Sequence, residues 1–139
     1  VNQLWLPGLQ LQTVPIILTY DGDLFAGQEV GAIALGIGWE LVSITACARI
    51  PGTSGATRIG LVRYSTEDET EFAVIATEAN RPTIAASASA NRIDITPAAD
   101  CTAGMTTFGS GHVLRCVLET VATGAQSLTM TIWARCERV

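Results

Sequence analysis

The one histidine of the chain, His112, stands among thirteen carboxylates and four cysteines, and that scarcity bounds the chemistry available. His112 follows Gly109-Ser110-Gly111, where a Ser–His pair would have to form. A nucleophile elbow needs Gly-x-Ser-x-Gly at a strand-to-helix turn, and neither the spacing nor a following helix is present. No third member of a triad suggests itself, so His112 is expected to be an exposed residue beside a glycine turn. Carboxylate pairs of the kind that hydrolyse glycosides can be drawn by chance from so many acids, and their presence decides nothing. Gly52-Thr53-Ser54-Gly55 has no phosphate-binding lysine and lies between strands. Glu67-Asp68-Glu69 lacks the spacing of a calcium loop and reads as a solvated turn tip. We therefore expect no catalytic residue, no cofactor and no enzymatic activity.

The cysteines, Cys47, Cys101, Cys116 and Cys136, are widely spaced, without the paired short spacings of zinc sites, so no metal is expected. Cys116 alternates with Leu114 and Leu118, and Cys136 with Met130, Ile132 and Ala134. Both read as small core residues. No leader-like stretch opens the sequence and no apolar run approaches membrane-spanning length. Reduced thiols in a protein made in the cytoplasm, with no membrane partner, are the expectation.

The aromatic residues offer binding rather than reaction. Trp39, at a strand start, reads as a core anchor. Trp133 shares a polar strand face with Thr131 and Arg135, which places it at an interface or a carbohydrate site. Trp5 lies in Leu4-Trp5-Leu6-Pro7-Gly8, an apolar arm that either packs on a neighbouring subunit or folds back. Leu4, Trp5, Leu6, Trp133 and Arg135 are the candidate partner-binding residues.

The elements that must position these residues are strands. Leu9 to Val14 alternates at period two, and Pro15 implies an edge position or a bulge. Ile16 to Tyr20 continues extended until Asp21-Gly22-Asp23 turns the chain. Val30 to Ile37 is a weak strand of small residues. In Trp39 to Arg49 the expected inner face is Val42, Ile44, Ala46 and Ala48, with Ser43, Thr45 and Cys47 opposite. Pro51 to Gly55 punctuates. Thr57 to Tyr64 and Glu71 to Ala76 flank the acidic turn, with Phe72, Val74 and Ala76 on one face. Thr77 to Ala90 admits only short strand pieces, Arg92 to Thr96 alternates, and Pro97 to Gly111 is loop-like. Val113 to Val121 and Leu128 to Arg135 alternate well. Turn signals recurring without intervening helices predict an all-β fold, an antiparallel β-sandwich of jelly-roll type with roughly eight strands. Residues 1–8 would form the arm and residues 9–139 one sandwich domain.

Composition narrows the partners. The net charge of −5 argues against nucleic acid, whose binding rests on a basic patch. Only 15% of residues are charged and 48% are hydrophobic, so the surface is either rich in Thr, Ser, Ala and Gly or covered by a partner. We favour the covered surface, because wide weakly charged surfaces are adhesive. All eight basic residues are Arg. Genomic base composition explains this first, and the fit of guanidinium forks to fixed interfacial pairs second.

From Ile16 to Arg135 the landmarks occur in a familiar order. They are Tyr-Asp-Gly-Asp-Leu-Phe-Ala-Gly (20–27), Leu-Val-Ser-Ile-Thr-Ala (41–46), Pro-Gly-Thr-Ser-Gly (51–55), Asn-Arg-Pro-Thr-Ile-Ala-Ala (80–86) and Ser-Leu-Thr-Met-Thr-Ile (127–132). This order resembles a β-sandwich family of tailed-phage structural proteins, found as capsid decoration (cement) proteins and as modules of tail or head fibres. The chain departs from it with Glu67-Asp68-Glu69 in place of an Asn-Gly or Asp-Gly turn, and with Gly111-His112 where the family has Asp. The resemblance implies a virion structural protein on the capsid surface, a homotrimer that binds the major capsid protein, and no catalytic residues. Lacking a collagen-like or heptad repeat, the chain reads as a decoration protein, with a fibre or receptor-binding module and a lectin-like domain as alternatives.

Overall fold

Period-two alternation with one apolar face is what a half-buried strand requires, and the chain folds accordingly. The computed structural model describes residues 10–34, 39–86, 92–95, 107–109 and 111–138. Ten strands are formed among them: β1 (Gln10–Asp23), β2 (Glu29–Ala34), β3 (Trp39–Ile50), β4 (Ala56–Ser65), β5 (Thr70–Ala73), β6 (Thr83–Ala85), β7 (Arg92–Ile95), β8 (Thr107–Phe108), β9 (His112–Thr120) and β10 (Gln126–Arg138). Eight of these have four or more residues, in keeping with the strand number expected.

The strands make two antiparallel sheets. One runs β1-β10-β3-β7, with β8 pairing β3; the other runs β2-β9-β4-β5, with β6 pairing β4. The chain crosses between sheets at each of the first three connections, and the last two strands insert beside the first two. That interleaving is the double Greek key of a jelly roll. Between the sheets lie Ile44, Ala46 and Ala48 of β3, Leu128, Met130, Ile132 and Ala134 of β10, Ile59 and Leu61 of β4, and Leu114, Cys116 and Leu118 of β9, all buried. Trp39 packs against this core while partly buried.

Two expected faces are corrected. Val42 does not line the core; Leu41 does, at 2% exposure. The β10–β3 register shifts between Trp133, opposite Ser43, and Ala134, opposite Leu41. Val42 is the extra residue of a bulge, which moves the alternation by one position. In the second case β5 ends at Ala73, so Phe72, Val74 and Ala76 do not share a face. The chain turns inward there, Val74 N–H donating to the Leu61 carbonyl at 2.9 Å. Consecutive Val74 and Ile75 are both buried, while Phe72 stays 46% exposed and Ala76 is exposed.

Pro15 sits, as expected, in an edge strand, where its missing N–H interrupts no ladder. The loop Pro51–Gly55 is stitched to the β9–β10 connection: Thr53 N–H donates to the Thr123 carbonyl and Thr123 N–H to that of Ser54. Gly52 has φ +95°, and a Cβ there would meet Thr123 O at 2.6 Å, so only glycine suits both the conformation and the approach.

Candidate functional site

Of the residues expected to bind a partner, Leu4, Trp5 and Leu6 lie outside the described residues. Trp133 and Arg135 stand on the outer face of the first sheet, and register supplies their neighbours. Trp133 lies between Pro15 of β1 and Ser43 of β3, Thr131 between Ile17 and Thr45, and Thr129 between Thr19 and Cys47. Cross-strand partners of this kind are in side-chain contact range. Thr13, Pro15, Ile17 and Thr19 are exposed, Ile17 at 64%, and Trp133 is half-buried. From β1 to β3 these rows carry no charge. Arg135 bounds them at one end, its Nη2 donating to Glu40 Oε1. At the other end Arg49 Nη2 donates to Ser127 Oγ at 3.4 Å, and Ser127 Oγ to Asp21 Oδ1 at 3.1 Å. On the β7 side, Asp94 and Arg92 hold register positions opposite Thr45 and Cys47.

The outer face of the second sheet is of opposite character. Arg115 of β9 reaches Glu29 of β2 and Glu71 of β5, each at 2.5 Å, with its guanidinium 5.6 Å from the Tyr64 ring centre of β4. One side chain thus spans the sheet, and its hydrogen bond to Glu29, first among several causes, raises its already high pKa. Beside it Glu119 accepts from Arg58 Nε at 2.7 Å and from Arg81 Nη1 at 2.6 Å. Arg58 also pairs with Glu78 at 3.4 Å. Arg81 in addition donates to the carbonyls of Ile75 and Ala76. Covering this face would strip water from an ion-pair network, which costs more than mutual attraction returns unless geometry is ideal. Covering the first sheet removes water from threonines, a proline, an isoleucine and an indole, at far lower cost.

The remaining chemical groups are accounted for locally. Burial pushes the Cys116 thiol up to about 12, which makes it a packing residue rather than a nucleophile. Cys47 and Cys116 are thiols; Cys101 and the side chain of Cys136 lie outside the described residues. His112 is half-buried rather than exposed, its Nδ1 accepting from Gly109 N–H at 2.9 Å, and Ser110 is not described. The Asp68 carboxyl on the acidic turn is held below its ordinary value, first by the Ser65 side chain. Among the described residues no group of three His, Cys, Asp or Glu could hold a metal. None of their helices is long and apolar enough to cross a membrane.

Sequence reasoning missed Ile17 and Pro15 as members of the Trp133 face. The signal was present in Ile16-Ile17: two adjacent isoleucines in one strand must point to opposite sides, so one of them faces out.

No protein-family model matches the chain, and a search of curated proteins finds no match. Comparison with solved structures does find one for the sandwich. A chain of the cyanophage Pam1 capsid asymmetric unit aligns with a TM-score of 0.50 at 12% identity, over 97% of this chain and 89% of that one. The fold is that of a viral capsid chain. At this identity the likeness is one of architecture, and the high coverage of both chains means it extends across the whole sandwich. A chain in a structure of infectious bursal disease virus, Gx strain, aligns at 10% identity with a TM-score of 0.46, over 93% of this chain and 36% of that one.

Proposed function

We propose that the protein is a virion structural component, a capsid decoration protein that docks on the outside of a phage head and clamps neighbouring major capsid subunits. The observation that carries this reading is the contrast between the two outer faces. The second sheet is locked by internal ion pairs, whereas the first presents Trp133, Pro15 and Ile17 among threonines with charges only at its margins. Such a face is suited to burial against protein, and aromatic anchors carry most of the energy of interfaces. The cyanophage capsid chain, spanned over 89% of its length by this one, offers a precedent for a sandwich of this size in a capsid. Self-association into a homotrimer, closed by cyclic symmetry, belongs to the same reading, with Leu4, Trp5 and Leu6 as further contacts. The protein acts by contact, not catalysis.

The test compares particles lacking the protein with particles to which it has been restored, following genome release on heating. Decorated particles should open at higher temperature, because a ligand of the assembled shell stabilises it by mass action. Trp133→Ala should weaken binding by about 2 kcal/mol or more, roughly thirtyfold. Sedimentation of the free protein should give three times 14.6 kDa. Equal opening temperatures, with Trp133→Ala binding like the parent, would defeat the clamp and favour a fibre or receptor-binding module. Saturable binding to a glycan array would favour a lectin.

A further inference from the structure

The turn from β8 to β9 is closed by an imidazole. Gly109 N–H donates to His112 Nδ1 at 2.9 Å, and His112 N–H donates back to the Gly109 carbonyl at 3.2 Å. Gly111, at φ +79°, offers its carbonyl to both the N–H and the hydroxyl of Thr66, at 2.8 and 2.9 Å. This clasp holds a short hook: Phe108 lies just ahead of Gly109, is 1% exposed, and pairs with Trp39, while Thr107 pairs with Glu40.

An Nδ1 that accepts a hydrogen bond must carry a lone pair, so the ring is neutral with its proton on Nε2. Protonation turns Nδ1 into a donor aimed at another donor, and the clasp opens. We infer that His112 is an acid-sensitive clasp: its protonation releases the Gly109 amide and loosens the Phe108 hook from the β3 edge at Trp39 and Glu40. The groups around the ring do not compensate. From the β4–β5 turn come Glu67, beside Gly111, and Asp68, whose carboxylate interacts electrostatically with His112. β4 presents uncharged Ser65 opposite His112. The end of β2 brings Ala34 opposite Val113. On β3, Glu40 is engaged by Arg135. Protonation at Nδ1 therefore removes the acceptor on which the Gly109 amide depends. The inference concerns the free protein and stands whether or not the protein decorates a capsid.

The experiment follows the isolated protein between about pH 8 and 5, the range in which histidine changes charge. Long-range 15N–1H correlation of the imidazole should show the Nε2–H tautomer at neutral pH. As the ring titrates, Gly109 amide exchange, corrected for its intrinsic pH dependence, should accelerate about tenfold. Protection at Thr107 and Glu40 should fall with it. In His112→Asn the side-chain carbonyl takes the place of Nδ1 as a permanent acceptor, so protection should no longer follow pH. In His112→Ala the clasp should be open at every pH; were that variant not to fold, the Asn variant alone would carry the test. An Nδ1–H tautomer at neutral pH, or a Gly109 amide indifferent to the titration in the parent protein, overturns the inference.

Discussion

Replacing Glu119 by alanine tests whether the second sheet is locked by its charges or merely decorated with them. Glu119 accepts two charge-assisted hydrogen bonds, from Arg58 at 2.7 Å and Arg81 at 2.6 Å. Bonds to charged partners contribute roughly 1.5–3 kcal/mol each where solvent is excluded. Here the three side chains are 25%, 26% and 14% exposed, so water screens part of that. After the change Arg58 keeps Glu78 and Arg81 keeps two carbonyls, which limits the penalty for stranded cations. The net loss should be about 2 kcal/mol, between an exposed pair and a broken buried one. Urea unfolding followed by tryptophan fluorescence should show a lower midpoint at unchanged slope. A double-mutant cycle with Arg81→Ala should return a coupling of about 1 kcal/mol or more. Gly60→Ala should reproduce part of the effect, because a Cβ there would come within 2.5 Å of Glu119 Oε2 and push the carboxylate off its partners. A loss under about 0.5 kcal/mol with no coupling would place these contacts among ordinary surface pairs. The contrast between the two outer faces would then no longer single out the first sheet.

The Cys116 thiol should resist alkylation in the native protein and react only on unfolding, since burial pushes it up to about 12. Because the unfolded chain loses this proton nearer its ordinary value of 9.0, stability falls as pH rises above about 9. That slope should be smaller in Cys116→Ala, measured by urea midpoints at pH 8 and 10. Gly52→Ala should destabilise by about 2 kcal/mol or more, read as a drop in melting temperature, because φ +95° and the Thr123 carbonyl at 2.6 Å both oppose a side chain. A melting temperature within a degree of the parent would show that the loop can shift away.

How much of this was legible depends on how local each feature is. The inner faces of β9 and β10 could be read from Leu114-Cys116-Leu118 and Leu128-Met130-Ile132 because burial alternates without interruption over 114–118 and 128–134. Leu41-Val42 could not be resolved, since both residues are apolar and the bulge that chooses between them is set by β10 across the sheet. Phe108 was hidden in a glycine-rich run with no period, yet it is buried through a two-residue pairing with β3. Val74 and Ile75 are buried together because the chain leaves the sheet there, and alternation says nothing once a strand has ended. The topology is equally nonlocal: β9 and β10 are consecutive but lie in different sheets. On the face proposed for docking, Trp133 and Arg135 stood out as an aromatic and a cation among threonines. Their neighbour Ile17 comes from a strand more than a hundred residues earlier, and only register unites them.

The arginines that composition suggested for interfacial pairs make their described ion pairs within the chain. An all-Arg complement needs no physical cause, but its placement has one. Arg115 bridges acids on two edge strands while lying over Tyr64, and Arg81 holds a carboxylate and two carbonyls at once. A planar fork with five donors can do this in one fixed geometry; an ammonium, a compact charge with three donors on a flexible stem, does not hold separated partners in that way. These forks act within the chain, tying β2, β9, β4 and β5 and the segment after β5 into one fixed face. So few charges on 139 residues do not make the whole molecule adhesive. On the sheet of β1, β10 and β3 they stand toward the strand ends, at Asp21, Asp23, Glu40, Arg49, Arg135, Glu137 and Arg138, which leaves the rows of Thr129, Thr131 and Trp133 between them without charge. A surface with such uncharged rows favours association through them, with the ion-paired face of the second sheet turned to water. The docking proposed above would use that preference, which a uniformly weakly charged surface would not supply.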